Sequence, residues 1–176
     1  MKPQSKGRAS SPSEPDNQPV VNVIIAGLGG QGVLKASDIL AHAAFHAGFD
    51  VKKSEVHGMS QRGGSVYSDV RFGPQVFSPM VSPGDADFLL VLSSDQVEPN
   101  RDFLKPGGAL ITPELLAQCK LPHPKSLNTA LLGVLSARLE IPESFWLEAV
   151  RANLPEKVLQ LNFQAFQLGR TLSTSP

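Results

Sequence analysis

The sequence predicts an α/β fold: an open, mostly parallel Rossmann-like sheet with flanking helices and an added β-hairpin. Three observations carry this. VVNVIIAG (20–27) and DADFLLVLSSD (85–95) are apolar runs that read as buried strands, the first rich in β-branched residues. Helical patterns alternate with the strands. GLGGQG (27–32) joins the first strand to the first helix. The 176 residues fit one domain, expected over 20–172 behind a disordered tail at 1–19.

The tail holds four prolines, four serines and five charges, with no Val, Leu, Ile or Phe. It buries too little apolar surface to offset the entropy of ordering it. After the glycine turn, VLKASDILAHAAFHAG (33–48) has apolar residues on nearly every face, which predicts a well-buried helix ended by Gly48. FDVKKS (49–54) predicts a second strand, and SEVHGMSQRGG (54–64) a polar, glycine-rich loop. SVYSDVRF (65–72) alternates as a half-buried strand should, and Gly73-Pro74 predicts a turn into QVFS (75–78) as its hairpin partner. A weak helix, broken by Pro99 and Pro106, is expected before the strand ALIT (109–112). Thr112-Pro113-Glu114 reads as a helix start, and Asn128 as the cap of TALLGVLSARLE (129–140). Two more helices are expected to open near Pro142 and Pro155.

Composition narrows the function. Sixteen basic residues balance sixteen acidic ones, which argues against a general nucleic-acid binder or a polybasic membrane module. The one cysteine, Cys119, cannot form an internal disulfide or supply a four-cysteine cluster site. No apolar run approaches the roughly 20 residues of a membrane helix. The opening segment has no apolar core of the kind a secretory signal needs. A soluble cytoplasmic protein is expected, with no metal site, and no Ser–His–Asp set stands out.

Gly27, Gly29 and Gly32 match G-x-G-x-x-G between a buried strand and a helix, where the motif has physical meaning. Gly27 lets the chain turn, Gly29 clears space for a pyrophosphate, and Gly32 allows close helix packing. The helix N-terminus then offers free N–H groups and a dipole worth about 0.3–1 kcal/mol to a nearby anion. Gly30 and Gln31 lie inside the same turn. No acid sits cleanly about 20 residues beyond the first glycine, where a ribose-binding residue belongs: Asp50 precedes the second strand and Glu55 follows it late. The turn therefore suits an anionic ligand better than NAD.

If the first two strands run the same way, the 54–64 loop faces this turn. It carries Ser54, Glu55, His57, Gly58, Ser60, Gln61, Arg62, Gly63 and Gly64. Arg62 is the fixed cation suited to a phosphate, and the glycines permit close backbone approach. Asn128, at a helix start after a strand, is a further ligand candidate beside its capping role. Cys119 and His123 read as bystanders in an irregular segment, and Trp146 as a core or subunit contact.

GLGGQGVL (27–34), KKSEVHGMSQRGGSVYSDVRFG (52–73), an SP pair and GDADFLLVL (84–92) together resemble the gamma-type domain of 2-oxoacid:ferredoxin oxidoreductases. The likeness spans roughly residues 20 to 170, and SEVHGMSQRGGSV is most similar to the indolepyruvate type. It implies a small subunit without redox activity, inactive alone, packed on a larger partner. That partner would carry thiamine diphosphate and iron–sulfur clusters, decarboxylate a 2-oxoacid, pass electrons to ferredoxin and hand the acyl group to coenzyme A. The small subunit would shape the active-site entrance and help hold coenzyme A. Two other readings stay open: a free-standing dinucleotide-binding enzyme or sensor, and a structural subunit whose glycine turn is empty.

Overall fold

The computed structural model describes residues 19–57 and 63–174; apart from Pro19, the tail expected over 1–19 lies outside them. The strands are β1 (Val21–Leu28), β2 (Asp50–His57), β3 (Ser65–Gly73), β4 (Ala86–Val91) and β5 (Leu104–Ile111). The helices are α1 (Val33–His46), the single turn α2 (Val97–Asn100), α3 (Leu127–Ser136), α4 (Glu143–Asn153) and α5 (Glu156–Thr174). One sheet runs β2-β3-β1-β4-β5. β1, β4 and β5 pair in parallel, while β3 pairs antiparallel with both β1 and β2. Four of the five strands therefore point the same way, and β3 runs against them.

The predicted hairpin exists, but with a different partner. Residues 75–78 form no strand. β2 occupies one side of β3 from Asp50↔Gly73 to His57↔Val66, and β1 occupies the other, so β3 has no free edge for them. The segment instead crosses the sheet, tied by its backbone to side chains. Val76 N donates to Asp50 Oδ2 at 2.7 Å, and Arg71 Nη1 donates to Ser78 O at 2.8 Å. Phe77 is left 86% exposed.

Side-chain alternation sorts the sheet into two unequal faces. Val23, Ile25, Val70, Phe72, Leu90 and Ile111 face a core filled by α1, α3, α4 and α5. Ile24, Ala26, Leu89 and Val91 face a smaller one, closed by Val81 and the α2 region. Burying one large aliphatic side chain contributes about 1.5–3 kcal/mol, so the first face holds most of the stability. Trp146 is buried there against Phe166, with ring centroids 5.8 Å apart; it is a core residue.

α1 ends as its sequence predicts: Gly48 takes φ 94° just past the last turn. The expected cap of α3 is corrected. Ser126 stands at the N-cap, and Asn128 lies one residue inside the helix, where its side chain turns outward to α1. Glu114 sits in a short 3₁₀ turn over Pro113–Leu116, and the proline opens it.

β4 and β5 share a shifted register. Ala86 pairs Leu104 and Phe88 pairs Ala109, so Lys105, Pro106, Gly107 and Gly108 bulge from the edge. At the opposite edge, Lys53 of β2 is held by Asp38 Oδ1 at 2.5 Å and Glu55 Oε1 at 2.7 Å.

α3 and α5 cross in backbone contact at Gly133 and Gly169. A Cβ on Gly169 would fall inside the Ala130 carbonyl, and one on Gly133 inside the Phe166 carbonyl. Neither neighbour is a flexible side chain. Gly169→Ala is expected to cost about 3 kcal/mol, read as a lower urea midpoint at unchanged slope.

Asp69, 2% exposed, lies on the thinly covered face. Its Oδ2 accepts from Ser54 Oγ at 3.0 Å, and Oδ1 has no partner. Burial pushes its carboxyl above the ordinary 3.8. An acid raised on folding holds its proton more tightly in the native state. Its contribution is therefore full below pH 3.8 and is lost as pH rises through the folded value. Asp69→Asn is expected to raise the urea midpoint at pH 7. The gain should shrink as pH is lowered towards 4, and equal gains at both pH values would show that ionisation is not its source.

Candidate functional site

The carboxyl ends of β1 and β4 lie side by side, and their onward connections diverge. β1 leads through α1 towards β2, whereas β4 leads through α2 to β5 on the other side. This is a topological switch point, where open α/β sheets leave a crevice. The glycine turn stands on its rim.

The turn is held by its own residues. Leu28 N donates to Gln31 Oε1 at 2.7 Å, and Gln31 N donates to Leu28 O at 3.1 Å. Gln31 thus folds back over the strand end. Gly27 must lack a side chain for this, because a Cβ there would lie 2.9 Å from Gln31 Oε1 and 3.1 Å from Leu92 Cβ. Gly30 and Gly32 both take φ 88°, the left-handed region in which glycine is unstrained. Among the described residues, a Cβ on Gly30 would meet nothing within 4 Å.

The hairpin between β2 and β3 meets the turn from the side. Gly29 N donates to Gly64 O at 2.9 Å, and a Cβ on Gly29 would lie 3.3 Å from Gly63 N. The space beside Gly29 is therefore filled by the chain's own backbone. Of the second-loop candidates, Gly63 and Gly64 reach the turn, and His57 lines a cleft beside it. Ser54 does not: its hydroxyl is bound to Asp69 within the sheet face. Glu55 is taken by Lys53, with His57 Nε2 a further 3.8 Å from Oε2. Gly58, Ser60, Gln61 and Arg62 lie outside the described residues.

Asn128 comes from far along the chain. Its Nδ2 donates to Gly32 O at 3.3 Å, across 96 residues, and its Oδ1 accepts from Thr129 N at 2.8 Å. Asn128 is 9% exposed, and its side chain occupies the place a Cβ on Gly32 would need. Behind it, Thr129 Oγ1 donates to Asn162 Oδ1 at 2.7 Å, and Asn162 Nδ2 donates to Val158 O at 2.9 Å. A buried polar chain thus runs from the start of α1 through α3 to α5.

Among the described residues no side chain caps α1, and its first turn holds no acid. The opening N–H groups of a helix lack intrahelical partners and sit at the positive dipole end. A cleft of about 490 Å³ lies in front of them, bordered by Gly30, Gly32, Leu92, Lys125 and Asn128. A second cleft of about 390 Å³ lies on the other side of the turn, mostly apolar, between Leu28, Val66 and His57. Leu92 and Lys125 escaped the sequence reading. Leu92 lies inside an apolar strand run, and Lys125 in the irregular QCKLPHPKS stretch, which carries no motif.

The chain matches the family model described as pyruvate ferredoxin/flavodoxin oxidoreductase over residues 22–122. It is 34% identical to the indolepyruvate oxidoreductase subunit IorB of Thermococcus kodakarensis, covering 84% of this chain and 93% of that protein. It is 26% identical to the 2-oxoglutarate synthase subunit KorC of Methanocaldococcus jannaschii, over 82% and 89% of the two chains. The keto/oxoacid ferredoxin oxidoreductase gamma subunit of Geobacter sulfurreducens superposes with a TM-score of 0.73 at 25% identity, over 87% of this chain and 98% of that one. The glycine turn and the β2–β3 hairpin that meets it both fall within the matched region, and the chain belongs to the pyruvate ferredoxin/flavodoxin oxidoreductase family.

Proposed function

We propose that the chain is the small subunit of an indolepyruvate-type 2-oxoacid:ferredoxin oxidoreductase in the cytoplasm, and that its switch-point cleft holds the phosphate-bearing part of coenzyme A. The observation that carries the ligand assignment is the acid-free start of α1, which no described side chain caps and which faces a cleft bordered by Gly30. Backbone N–H groups there suit a pyrophosphate. Asn128 fixes the helix start by holding Gly32, and Gln31 fixes the turn in front of it. Lys125 adds a cation at the cleft wall.

A dinucleotide reading is weaker on the same geometry. The acid nearest the carboxyl end of β2 is Glu55, and Lys53 engages it, so it does not offer a free carboxylate to a ribose. Support for the coenzyme A reading also comes from a related fold. The 2-oxoglutarate:ferredoxin oxidoreductase of Magnetococcus marinus, solved with coenzyme A and succinyl-CoA bound, superposes with a TM-score of 0.75 at 23% identity, over 89% of this chain and 31% of that one.

In this reading the redox chemistry belongs to a larger partner subunit. Bound there, thiamine diphosphate and iron–sulfur clusters supply the oxidative decarboxylation and the passage of electrons to ferredoxin. This chain alone is inactive. Its part is to position the acceptor and to shape the entrance.

Gly30→Asn tests the cleft. Asparagine tolerates the left-handed region, and the new side chain meets no described residue, so folding should change little. In the assembled complex the Michaelis constant for coenzyme A should rise about tenfold, or about 1.4 kcal/mol. An unchanged constant with the urea midpoint intact would remove coenzyme A from this cleft. Gly29→Val is a poorer probe, because it strikes the Gly63 backbone first.

Arg62→Ala tests the second loop. A hydrogen bond to a charged group is worth about 1.5–3 kcal/mol, so the same constant should rise roughly ten- to a hundredfold. Arg62→Lys should restore part of it, since an ammonium keeps the charge without the fork. If the constant stays put and cluster reduction by 2-oxoacid falls instead, Arg62 serves the oxoacid or the subunit contact.

A further inference from the structure

The polar chain behind the glycine turn stands where packing alone does not ask for it. α3 and α5 already meet in backbone contact at Gly133 and Gly169, and Phe166 of α5 packs on Trp146. Towards the start of α3 the same two helices nevertheless bury a hydroxyl against an amide. Thr129 is fully buried and Asn162 is 8% exposed. A neutral hydrogen bond adds little net stability, because folding exchanges it for hydrogen bonds to water. What it adds over an apolar pair is direction, since donor and acceptor must align.

That direction is passed on step by step. Asn162 Nδ2 donates to Val158 O at 2.9 Å, which leaves Asn162 Oδ1 to accept from Thr129 Oγ1 at 2.7 Å. The first turn of α3 is thereby tied to α5. One residue earlier, Asn128 Oδ1 accepts from Thr129 N at 2.8 Å, which turns Nδ2 to Gly32 O. Asn128 is nine-tenths buried and borders the cleft beside Gly32. Gly32 O also accepts from Ala36 N at 2.9 Å, so two donors from different helices fix this carbonyl. In a planar trans peptide the carbonyl and the next N–H point opposite ways. Val33 N–H is therefore directed off the start of α1, and among the described residues nothing accepts it.

We propose that Thr129 and Asn162 are positioning residues for the phosphate-bearing acceptor: acting through Asn128, they hold the peptide unit between Gly32 and Val33 so that its N–H meets the ligand. This rests on the coenzyme A reading and adds to it the residues that aim the helix start. Neither Thr129 nor Asn162 touches the ligand. Their effect on affinity comes from the orientation of one backbone donor, so it separates from their effect on stability. The route also makes the cleft sensitive to α5, which lies behind α3 and supplies none of the glycine turn.

The test is calorimetric titration of the assembled complex with coenzyme A, without 2-oxoacid, read beside the urea midpoint. Thr129→Val combined with Asn162→Leu replaces both partners by apolar groups of similar shape, a change that can leave stability nearly intact. The dissociation constant is expected to rise severalfold, up to about tenfold, while the midpoint holds. Thr129→Ser keeps the hydroxyl and should bind as the unmodified complex does, whereas Thr129→Val alone should not. Asn128→Ala should weaken binding at least as much as the double variant. Adding the double substitution to it should cost nothing further, because the pair acts through the amide. An unchanged constant in the double variant would overturn the proposal, as would losses that add on the Asn128→Ala background. A midpoint that falls in step with affinity would also overturn it, leaving the pair a structural role only. Gly30→Asn separates these results from a failure of the underlying reading. If it weakens coenzyme A binding and the double variant does not, only the positioning role falls. If it leaves binding unchanged, the cleft does not hold the acceptor, and both readings fall together.

Discussion

The start of α1 depends on one contact, the approach of Asn128 to Gly32. The amide group occupies the space a side chain at residue 32 would fill, so the backbone there must be glycine on steric grounds as well as for its φ of 88°. The same amide closes a hydrogen bond to the Gly32 carbonyl, which is also the acceptor for Ala36 N in the first turn of α1. Through Thr129 and Asn162 the contact is anchored in α5, behind the glycine crossing of α3 and α5. A buried polar chain of this kind is costly unless every member is satisfied, and here each side chain finds a partner. The clefts on either side of the glycine turn are the spaces left around this joint.

The one-sided layering explains where this joint sits. With α1, α3, α4 and α5 all on one face, the starts of α1 and α3 come together above the carboxyl edge of β1. β3, inserted antiparallel between β1 and β2, spreads those two strands apart while keeping their directions equal. The loop that joins β2 to β3 then returns at the height of the glycine turn, and Gly64 reaches Gly29. The cleft walls and the fold are therefore set by the same few backbone approaches, which is why small residues concentrate there.

Much of this was legible from local pattern. The strands 21–28 and 86–91, the helix ended by Gly48, the glycine turn and the helices after Pro142 and Pro155 follow from periodicity and breakers. What local pattern could not show was who pairs with whom. The stretch 65–72 looks the same whether its neighbour is 75–78 or 50–57, because pairing is decided by distant strands competing for an edge. Asn128 has the chemistry of a cap, and only a contact 96 residues away turns it to another task. Ser54 looked available because alternation assigns a residue to a face but does not identify the buried acid waiting there. Lys125 carried no signal at all, since it stands in an irregular stretch without a motif.

The bulge in β5 has a consequence beyond the chain itself. A sheet can grow by adding strands to its margins, and unguarded margins invite fibres. Here one margin kinks at Lys105–Gly108 and includes a proline that offers no N–H. The other presents a lysine locked between two carboxylates. Neither is a template for a sixth strand. Both features disfavour growth by strand addition, which turns the described part of the chain towards assembly through its faces and helix ends.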